Sequence, residues 1–300
     1  MKRAVSVSLG SPQRDKCVTI TLGGQEILLE RIGTNGDIQK AIALYQQLDG
    51  QVDAFGVGGI DLGMTVCGRY YPLRDAQRLV ASIRHTPFTD GAGLKLTLER
   101  RVAQFIEREI GAEVRPKRAL ITTGVDRYGS ALSFTEAGYE IIFGDLAFAL
   151  GLPLPLRSLR SLHITARLLL PFVSRLPITF LYPTGQKQES NIPKFERWYR
   201  WATVISGDCL YIRRHMPASL AGKTIATNTT TPADVDTFRQ SGVRYLVTST
   251  PRLDGRTFGT NLMEAALIAL AGKGRPLTIQ ELDHMLTSLN LTPAFERINP

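Results

Sequence analysis

The amino-acid sequence predicts an α/β protein with a small N-terminal α/β domain followed by a doubly wound parallel sheet. Strand-like and helix-like segments alternate along most of the chain, and such alternation is typical of parallel strands joined by helical crossovers. A long helix predicted at 94–110 separates two runs of this kind, which predicts a domain boundary. After that boundary, a buried-type strand leads into a glycine-containing turn and a helix, as in nucleotide-binding sheets.

The first domain is predicted over residues 1–112, with helix 94–110 as the connector to the second. Most of its strands alternate apolar and polar residues, as strands with one buried face do. Gly23-Gly24 predicts a hairpin between two of them. The predicted strands are Ala4 to Leu9, Cys17 to Leu22, Glu26 to Ile32, Val52 to Val57 and Met64 to Tyr71, and the helices are Asp37 to Leu48 and Arg74 to Ile83.

The second domain is predicted over residues 113–260 as a Rossmann-like sheet. A helix at Pro232 to Gln240 has Thr231 as N-cap and proline at its first position, which is a strong start signal. Residues 261–300 are expected to pack back on the cleft between the domains through helices Asn261 to Ala271 and Ile279 to Leu289. The strands are predicted at Ala119 to Thr122, Tyr139 to Phe143, Ile178 to Leu181, Ala202 to Ile205, Thr224 to Thr227 and Tyr245 to Thr248, with a further helix at Ser130 to Ala137.

Composition restricts the class of protein and its partners. Of the 300 residues, 43% are hydrophobic, which is enough for packed cores. The net charge of +9 favours anionic partners. The three cysteines form no CxxC pair and the four histidines show no ligand spacing, so no metal site is predicted. Prolines and an arginine interrupt the most apolar stretch, 168–181, and the chain starts without an apolar signal core. We therefore expect a cytoplasmic protein.

The turn 123–130 is the predicted cofactor site. It follows a strand and opens a helix, and Asp145 ends the next strand about twenty residues after Gly124. In a dinucleotide fold, such a turn and helix N-terminus bind the pyrophosphate, and the acid binds the ribose. An acid there favours NAD over NADP. The predicted cofactor-binding residues of this turn are Gly124, Val125, Asp126, Arg127, Tyr128 and Gly129. The alternative is an ordinary βαβ turn that binds no ligand.

The segment TDGAGLKLTLER, from Thr89 to Arg100, resembles the shikimate/quinate dehydrogenase family. In that family an Asn-Thr-Asp-Gly-x-Gly turn closes the substrate domain and begins the helix that leads to the Rossmann domain. Thr89, Asp90, Gly91 and Gly93 match that turn, and Phe88 stands where the family has Asn. The resemblance is less specific elsewhere and extends over about residues 50 to 270.

The resemblance implies hydride transfer between a hydroxylated ring acid, such as quinate or shikimate, and NAD. Asp90 maps onto the family's Asp, beside the reacting hydroxyl, although a carboxylate capping the following helix is an alternative role. The family's partner Lys has no counterpart, because the chain has no lysine between Lys40 and Lys95. Candidate replacements are Lys95, Asp61, Arg69 and Arg74, with Lys95 predicted as the catalytic partner.

The remaining predicted site residues lie at strand ends and in the returning helix. By the resemblance, Thr248 and Thr250 stand near the nicotinamide, and Glu264 in GTNLMEAA takes the place of a substrate-contacting Gln. Asp61 follows a glycine cluster that can hold a phosphate or a carboxylate, or simply form a tight turn. Ser6 and Ser8, on the first strand, are predicted with Thr89 to line the substrate pocket. The alternative is that the two serines only pack within the strand and contact no ligand.

Two classes of function remain open at this point. The first is an NAD-dependent dehydrogenase, and the second is a non-catalytic ligand-binding or regulatory protein that keeps the two-domain architecture. The missing Lys and the departure from G-x-G-x-x-G favour the second. The expected partners are a small-molecule carboxylate and a second copy of the chain. Basic stretches around Arg160 and Lys194 match no nucleic-acid module and are interpreted as amphipathic helices, so no nucleic-acid or membrane partner is expected.

Overall fold

The computed structural model describes residues 1–177, 190–252 and 257–300. The strand expected at Ile178 to Leu181 lies outside these ranges. The described chain divides into two compact units. The first unit comprises 1–94, 169–177 and 259–291, and the second comprises 95–168, 190–252, 257–258 and 292–300. The two predicted final helices therefore belong with the N-terminal residues, and most of the expected connector helix belongs to the second unit.

The elements up to residue 110 come mainly from the first unit. They are β1 (Lys2–Ser8), β2 (Lys16–Leu22), β3 (Gln25–Gly33), α1 (Ile38–Leu48), β4 (Ala54–Gly58), β5 (Gly63–Val66), β6 (Arg69–Pro72), α2 (Arg74–Val80), β7 (Phe88–Thr89), α3 (Ala92–Leu96) and α4 (Val102–Ile110).

The later elements complete both units. They are β8 (Arg118–Ile121), α5 (Tyr128–Glu136), β9 (Glu140–Phe143), α6 (Asp145–Leu150), α7 (Leu159–Val173), α8 (Glu196–Trp201), β10 (Val204–Ser206), α9 (Cys209–His215), β11 (Thr224–Thr227), α10 (Pro232–Gln240), β12 (Tyr245–Thr248), α11 (Thr260–Ala271), α12 (Ile279–Ser288) and β13 (Ala294–Arg297).

The first unit is built on a five-stranded sheet of order β2-β3-β1-β4-β7. All its neighbours pair in parallel except β2, which forms the predicted antiparallel hairpin with β3. One core of the unit joins apolar side chains of β1 and β4 to α1 and α2, with Tyr45 packed edge-on against Phe55. Helix α11 also packs on β1 and β4. A Cβ atom on Gly56 would lie 3.0 Å from the backbone oxygen of Asn261, so glycine permits this close approach.

The second unit is built on a six-stranded sheet of order β13-β12-β11-β10-β8-β9. The strands from β9 to β12 are parallel, and β13 adds an antiparallel edge. Apolar side chains of α4, α5 and α7 cover one face, and those of α6, α8, α9 and α10 cover the other. The prediction of an α/β fold with a parallel sheet is therefore confirmed. Among the described strands only β9 lies beyond β8, whereas the Rossmann order has two strands there.

Two predicted elements are interrupted. The strand expected at Met64 to Tyr71 is the hairpin β5–β6, because Cys67 and Gly68 adopt positive φ angles of 51° and 72° and reverse the chain. The helix expected at 94–110 is divided into α3, a 3₁₀ turn at Glu99–Arg101 and α4. No helix within the described ranges is long and apolar enough to span a bilayer.

Candidate functional site

A narrow polar cleft lies in the second unit at the carboxyl ends of its parallel strands. About 200 Å³ of space lies between its lining residues, including open solvent at its mouth. The chain moves from β8 outward to β9 and then to β10 on the other side of β8, and such a switch in strand order opens a crevice for ligands. The lining residues are Glu99, Val102, Arg127, Ser130, Ser206, Gly207, Ala226, Thr227, Asn228 and Ser249.

Arg127 is the central charge of the cleft. Its side chain is 6% exposed, and its Nη1 donates to Glu99 Oε1 at 2.6 Å. Its Nη2 donates to Asp208 Oδ2 at 3.1 Å, and its Nε lies 3.2 Å from Asp126 Oδ2. A buried guanidinium must be paired in this way, because its transfer out of water is costly.

Lys95 joins the same cluster from α3. Its Nζ donates to Asp126 Oδ1 at 2.5 Å, and its side chain is 10% exposed. Burial raises the pKa of the Glu99 carboxyl, while the positive charges of Arg127 and Lys95 lower it. The cluster therefore contains two cations, Lys95 and Arg127, and three carboxylates, those of Glu99, Asp126 and Asp208.

Neutral polar groups complete the cleft. Asn228 donates from Nδ2 to Asp208 Oδ2 at 2.8 Å and accepts from the Thr227 hydroxyl at 3.1 Å. Asp208 itself caps α9 by accepting from the backbone of Leu210. The Ser249 hydroxyl is buried and has no hydrogen-bond partner among the described residues. An unpaired buried donor in a polar cleft is the kind of group that a ligand can satisfy.

The backbone N–H groups of the glycine turn bind a carboxylate of the same chain. Asp145 begins α6 and accepts from the backbone N–H of Gly124 at 2.9 Å and of Val125 at 2.8 Å. These are the donors from which the sequence predicted pyrophosphate binding, so a dinucleotide would have to displace the Asp145 carboxylate. A Cβ atom on Gly124 would lie 2.7 Å from the Phe143 ring. Packing therefore explains this glycine, and NAD binding stays a prediction.

Replacing Asp145 by Asn should lower the free energy of unfolding of the second unit by about 1–3 kcal/mol. Asn offers one acceptor oxygen, so its NH2 group would face a backbone N–H. Burial raises the pKa of Asp145 to about 6, and the N–H bonds of Val125 and Gly124 oppose that rise. Urea unfolding measured by tryptophan fluorescence checks the prediction. Asp236→Asn, on an exposed side chain, is the matched control, and equal stability of both variants would contradict the role given to Asp145.

Other predicted cofactor residues also have contacts inside the second unit. A Cβ atom on Gly129 would lie 1.8 Å from the backbone oxygen of Lys95, so glycine is needed for packing. The Tyr128 hydroxyl lies 2.8 Å from His163 Nε2. Thr248 donates to the backbone oxygen of Thr250 at 3.1 Å, and the Thr250 hydroxyl donates to that of Asn228 at 2.7 Å.

The turn that contains Asp90, the predicted catalytic residue, lies in the first unit. The Asp90 carboxylate accepts hydrogen bonds from two backbone N–H groups. Asp90 Oδ2 accepts from Leu62 N at 2.7 Å, and Asp90 Oδ1 accepts from Ala92 N at 3.0 Å. Oδ1 therefore caps the start of α3, as in the capping alternative, and Oδ2 holds the backbone that follows β4. Lys95, predicted as its catalytic partner, instead pairs with Asp126 inside the second unit. The catalytic role of Asp90 stays a prediction.

Glu264 of α11 is buried against the same turn. It accepts from the Thr89 hydroxyl at 2.6 Å through Oε1 and from Leu94 N at 2.8 Å through Oε2. A Cβ atom on Gly93 would lie 2.9 Å from both carboxyl oxygens, which explains the glycine. Burial raises the pKa of Glu264 to about 7, Thr89 and Leu94 oppose the rise, and the charge of Asp90 adds to it.

The other predicted substrate residues lie within β1, at its end and after β4. Ser6 Oγ accepts from Asn261 Nδ2 at 2.6 Å, and Ser8 Oγ accepts from Gly10 N at 3.1 Å and Arg31 Nη2 at 3.0 Å. Asp61 is buried after the glycine cluster. Within the described residues, no group of three or more His, Cys, Asp or Glu side chains is placed to hold a metal ion.

The structure brings Lys95, Asp126 and Arg127 together and adds residues that the sequence prediction missed. Glu99 was hidden in the predicted long helix, and Ser130 ended the predicted turn 123–130 but was not among its cofactor-binding residues. Ser206, Asp208, Asn228 and Ser249 follow or end three predicted strands. Polar residues at the carboxyl ends of parallel strands were the available signal. The missed residues are Glu99, Ser130, Ser206, Asp208, Asn228 and Ser249.

Comparison with solved structures finds weak overall similarity. A crystal structure from Mycobacterium smegmatis has 10% identity over 99% of this chain and 91% of that chain, with a TM-score of 0.34. A periplasmic solute-binding protein of an ABC transporter from Actinobacillus succinogenes, with bound D-allose, has 10% identity over 99% and 98%, with a TM-score of 0.34. A Mycobacterium smegmatis structure in complex with β-D-fucofuranose has 11% identity over 99% and 99%, with a TM-score of 0.33. No curated protein matches the chain.

The family models give the assignment. Residues 3–90 match the domain of unknown function DUF8753, and residues 93–298 match the domain of unknown function DUF8754. The predicted membership in the shikimate/quinate dehydrogenase family is wrong, because the family models that match the chain are these two. The classification as a shikimate or quinate oxidoreductase rested on that resemblance and is wrong with it. Since the longer match covers more than half of the chain, the protein belongs to the DUF8754 family.

Proposed function

We propose that this protein is a non-catalytic ligand-binding protein whose second unit holds a small, neutral, hydroxyl-rich molecule in the cleft around Arg127. The buried Ser249 hydroxyl, which lines the cleft without a partner among the described residues, carries this proposal. A ligand hydroxyl would supply the missing hydrogen bond. Ligand-binding crevices lie at this position in other doubly wound sheets, which supports the choice of cleft.

Charge and size favour this ligand class over the carboxylate expected from the sequence. The three carboxylates of the cluster outnumber its two cations, so a carboxylate ligand would add unfavourable negative charge. The side chains of Asn228 and Asp208 are suited to accept from or donate to hydroxyl groups. The enclosed part of the cleft has room for about one water molecule, so it fits a single ligand hydroxyl, and the rest of the ligand would lie at the open mouth.

The pairing of the ionic groups supports a binding role rather than catalysis. Lys95 is paired with Asp126, and Arg127 is paired with Glu99. None of these side chains is therefore placed as a separate general acid or base. The Asp90 carboxylate is likewise engaged by two backbone N–H groups. A cytoplasmic location and a homodimer stay predictions from the sequence.

A Ser249→Ala variant tests the proposal. Because the hydroxyl has no partner in the described protein, its removal should leave the stability of the free protein unchanged or slightly higher. Removal should weaken binding of the stabilising ligand about fivefold to tenfold, the value of one hydrogen bond. The ligand is first found by thermal shift and then titrated by calorimetry, using neutral monosaccharides and polyols beside sugar acids, NAD and NADP.

Thr224→Val is the matched control. The Thr224 hydroxyl is also buried without a partner among the described residues, but it lies at the amino end of β11, away from the cleft. This variant should bind the same ligand with unchanged affinity. Stabilisation by NAD with none by the neutral compounds, or an equal loss of affinity in both variants, would overturn the proposal.

A further inference from the structure

Helix α7 has two apolar stripes on opposite faces. Leu162, Ala166 and Leu170 are buried, as expected for a helix that packs on a core. Ile164, Leu168 and Phe172 lie on the outward face and are 51%, 65% and 71% exposed. A solvated helix face normally carries polar residues at such positions, so the outward stripe is a candidate interaction surface.

The outward face is also basic. Arg160, Arg167 and Arg175 are exposed on it or directly beyond the helix, and they form no ion pair with the described residues. Residues 159–177 contain no Asp or Glu. Arginine side chains beside leucine and phenylalanine can reach a charged surface while the apolar groups insert below it. Leu176, which is 44% exposed, continues the stripe after the helix.

We propose that the outward face of α7 binds an anionic lipid surface, with Leu168 and Phe172 inserting at the headgroup level and the three arginines contacting lipid phosphates. Charge complementarity selects this occupant. A second copy of the chain, related by a twofold axis, would bring the same arginines against each other. An anionic bilayer offers opposite charge and an apolar layer together, and the net charge of +9 adds long-range attraction. This differs from the expectation of no membrane partner.

Vesicle co-sedimentation with the full chain tests the proposal. The protein should bind vesicles of phosphatidylcholine with phosphatidylglycerol, and vesicles of phosphatidylcholine alone should bind it much more weakly. Binding should fall at about 1 M salt, where the Debye length is about 3 Å. Leu168→Ser/Phe172→Ser should weaken binding about tenfold or more. Arg160→Glu/Arg167→Glu/Arg175→Glu should weaken it about a hundredfold or more.

A charge-matched variant separates this surface from net charge. Arg78→Glu, Arg108→Glu and Arg200→Glu together change the net charge equally on side chains that are 65% or more exposed elsewhere. They should weaken binding far less than the α7 reversal. Circular dichroism confirms that each variant is folded. Equal loss in both triple variants, no binding to anionic vesicles, or a dimer in light scattering that only the Leu168/Phe172 variant disrupts would overturn the proposal.

Discussion

Replacing Arg127 by Met should lower the free energy of unfolding of the second unit by about 3–5 kcal/mol. The guanidinium is 6% exposed and Glu99 is 3% exposed, so the substitution leaves a buried carboxylate without its cation. The carboxyl would then favour its protonated form, and its pKa would rise further. A raised folded-state pKa means that stability is retained at low pH and lost as the pH rises, so the deficit should be larger at about pH 8 than at about pH 5.

Urea unfolding followed by tryptophan fluorescence measures this effect. Both tryptophans, Trp198 and Trp201, belong to the second unit, so the signal reports on that unit. Arg127→Met/Glu99→Gln should be more stable than Arg127→Met alone, because the unpaired charge is gone. Arg100→Met is the control, since its pair with Glu136 is half-exposed and contributes about 0–1 kcal/mol. If Arg127→Met lowers the free energy of unfolding by less than about 1 kcal/mol, the Arg127–Glu99 pair contributes no more than an exposed ion pair, and the prediction is wrong.

The stability of the first unit should fall by about 3 kcal/mol between about pH 5 and pH 9 because Glu264 ionises. Burial raises the pKa of this carboxyl from 4.5 to about 7 in the folded chain. The folded state therefore favours the protonated form. Its contribution is complete below pH 4.5 and is lost as the pH rises through about 7. Glu264→Gln, which keeps one acceptor and adds an NH2 group that can donate to Thr89, should remove most of this slope.

Hydrogen exchange of peptides from α11 in increasing urea measures the opening free energy at each pH, after correction for intrinsic exchange rates. Glu26→Gln, on an exposed side chain of the same unit, should leave the pH slope unchanged. If the wild-type slope matches that of Glu264→Gln, the Glu264 carboxyl does not ionise in this range and the assigned pKa is wrong.

Much of the secondary structure was predictable because it depends on local pattern. Alternation over Cys17 to Leu22 and the Gly23-Gly24 turn correctly predicted β2, β3 and their hairpin. Thr231 and Pro232 correctly predicted the start of α10, where a capping box is present. The helices α6 and α9 were not predicted, since short helices carry little periodic signal, whereas α7 and α8 were expected as amphipathic helices around Arg160 and Lys194. The family assignment failed because a short turn sequence that caps a helix is too local to define a family.

The candidate site was predictable only in part. Asp126, Arg127 and Lys95 stood in motifs that were singled out, but their predicted partners were a pyrophosphate and a substrate hydroxyl. In the structure, Arg127 pairs with Glu99 and Asp208, which are 28 and 81 residues away along the chain. The glycine turn likewise binds Asp145 in place of the predicted phosphate. The distance between such residues along the chain does not predict their contact, because the contact depends on the order of the strands in the sheet. No single segment of the sequence determines that order.

The sequence by itself determined the α/β class, most strand and helix positions and the turn at Thr89 to Gly93, because periodicity, caps and glycine turns act over a few residues. Only the tertiary structure decided that the chain returns to its first unit through α11 and α12 and that Lys95 pairs with Asp126. It also decided that Arg127 lies at the centre of a paired, buried charge cluster. Burial and strand order determine whether a charged side chain binds a ligand or its own chain, and both depend on residues far apart in sequence.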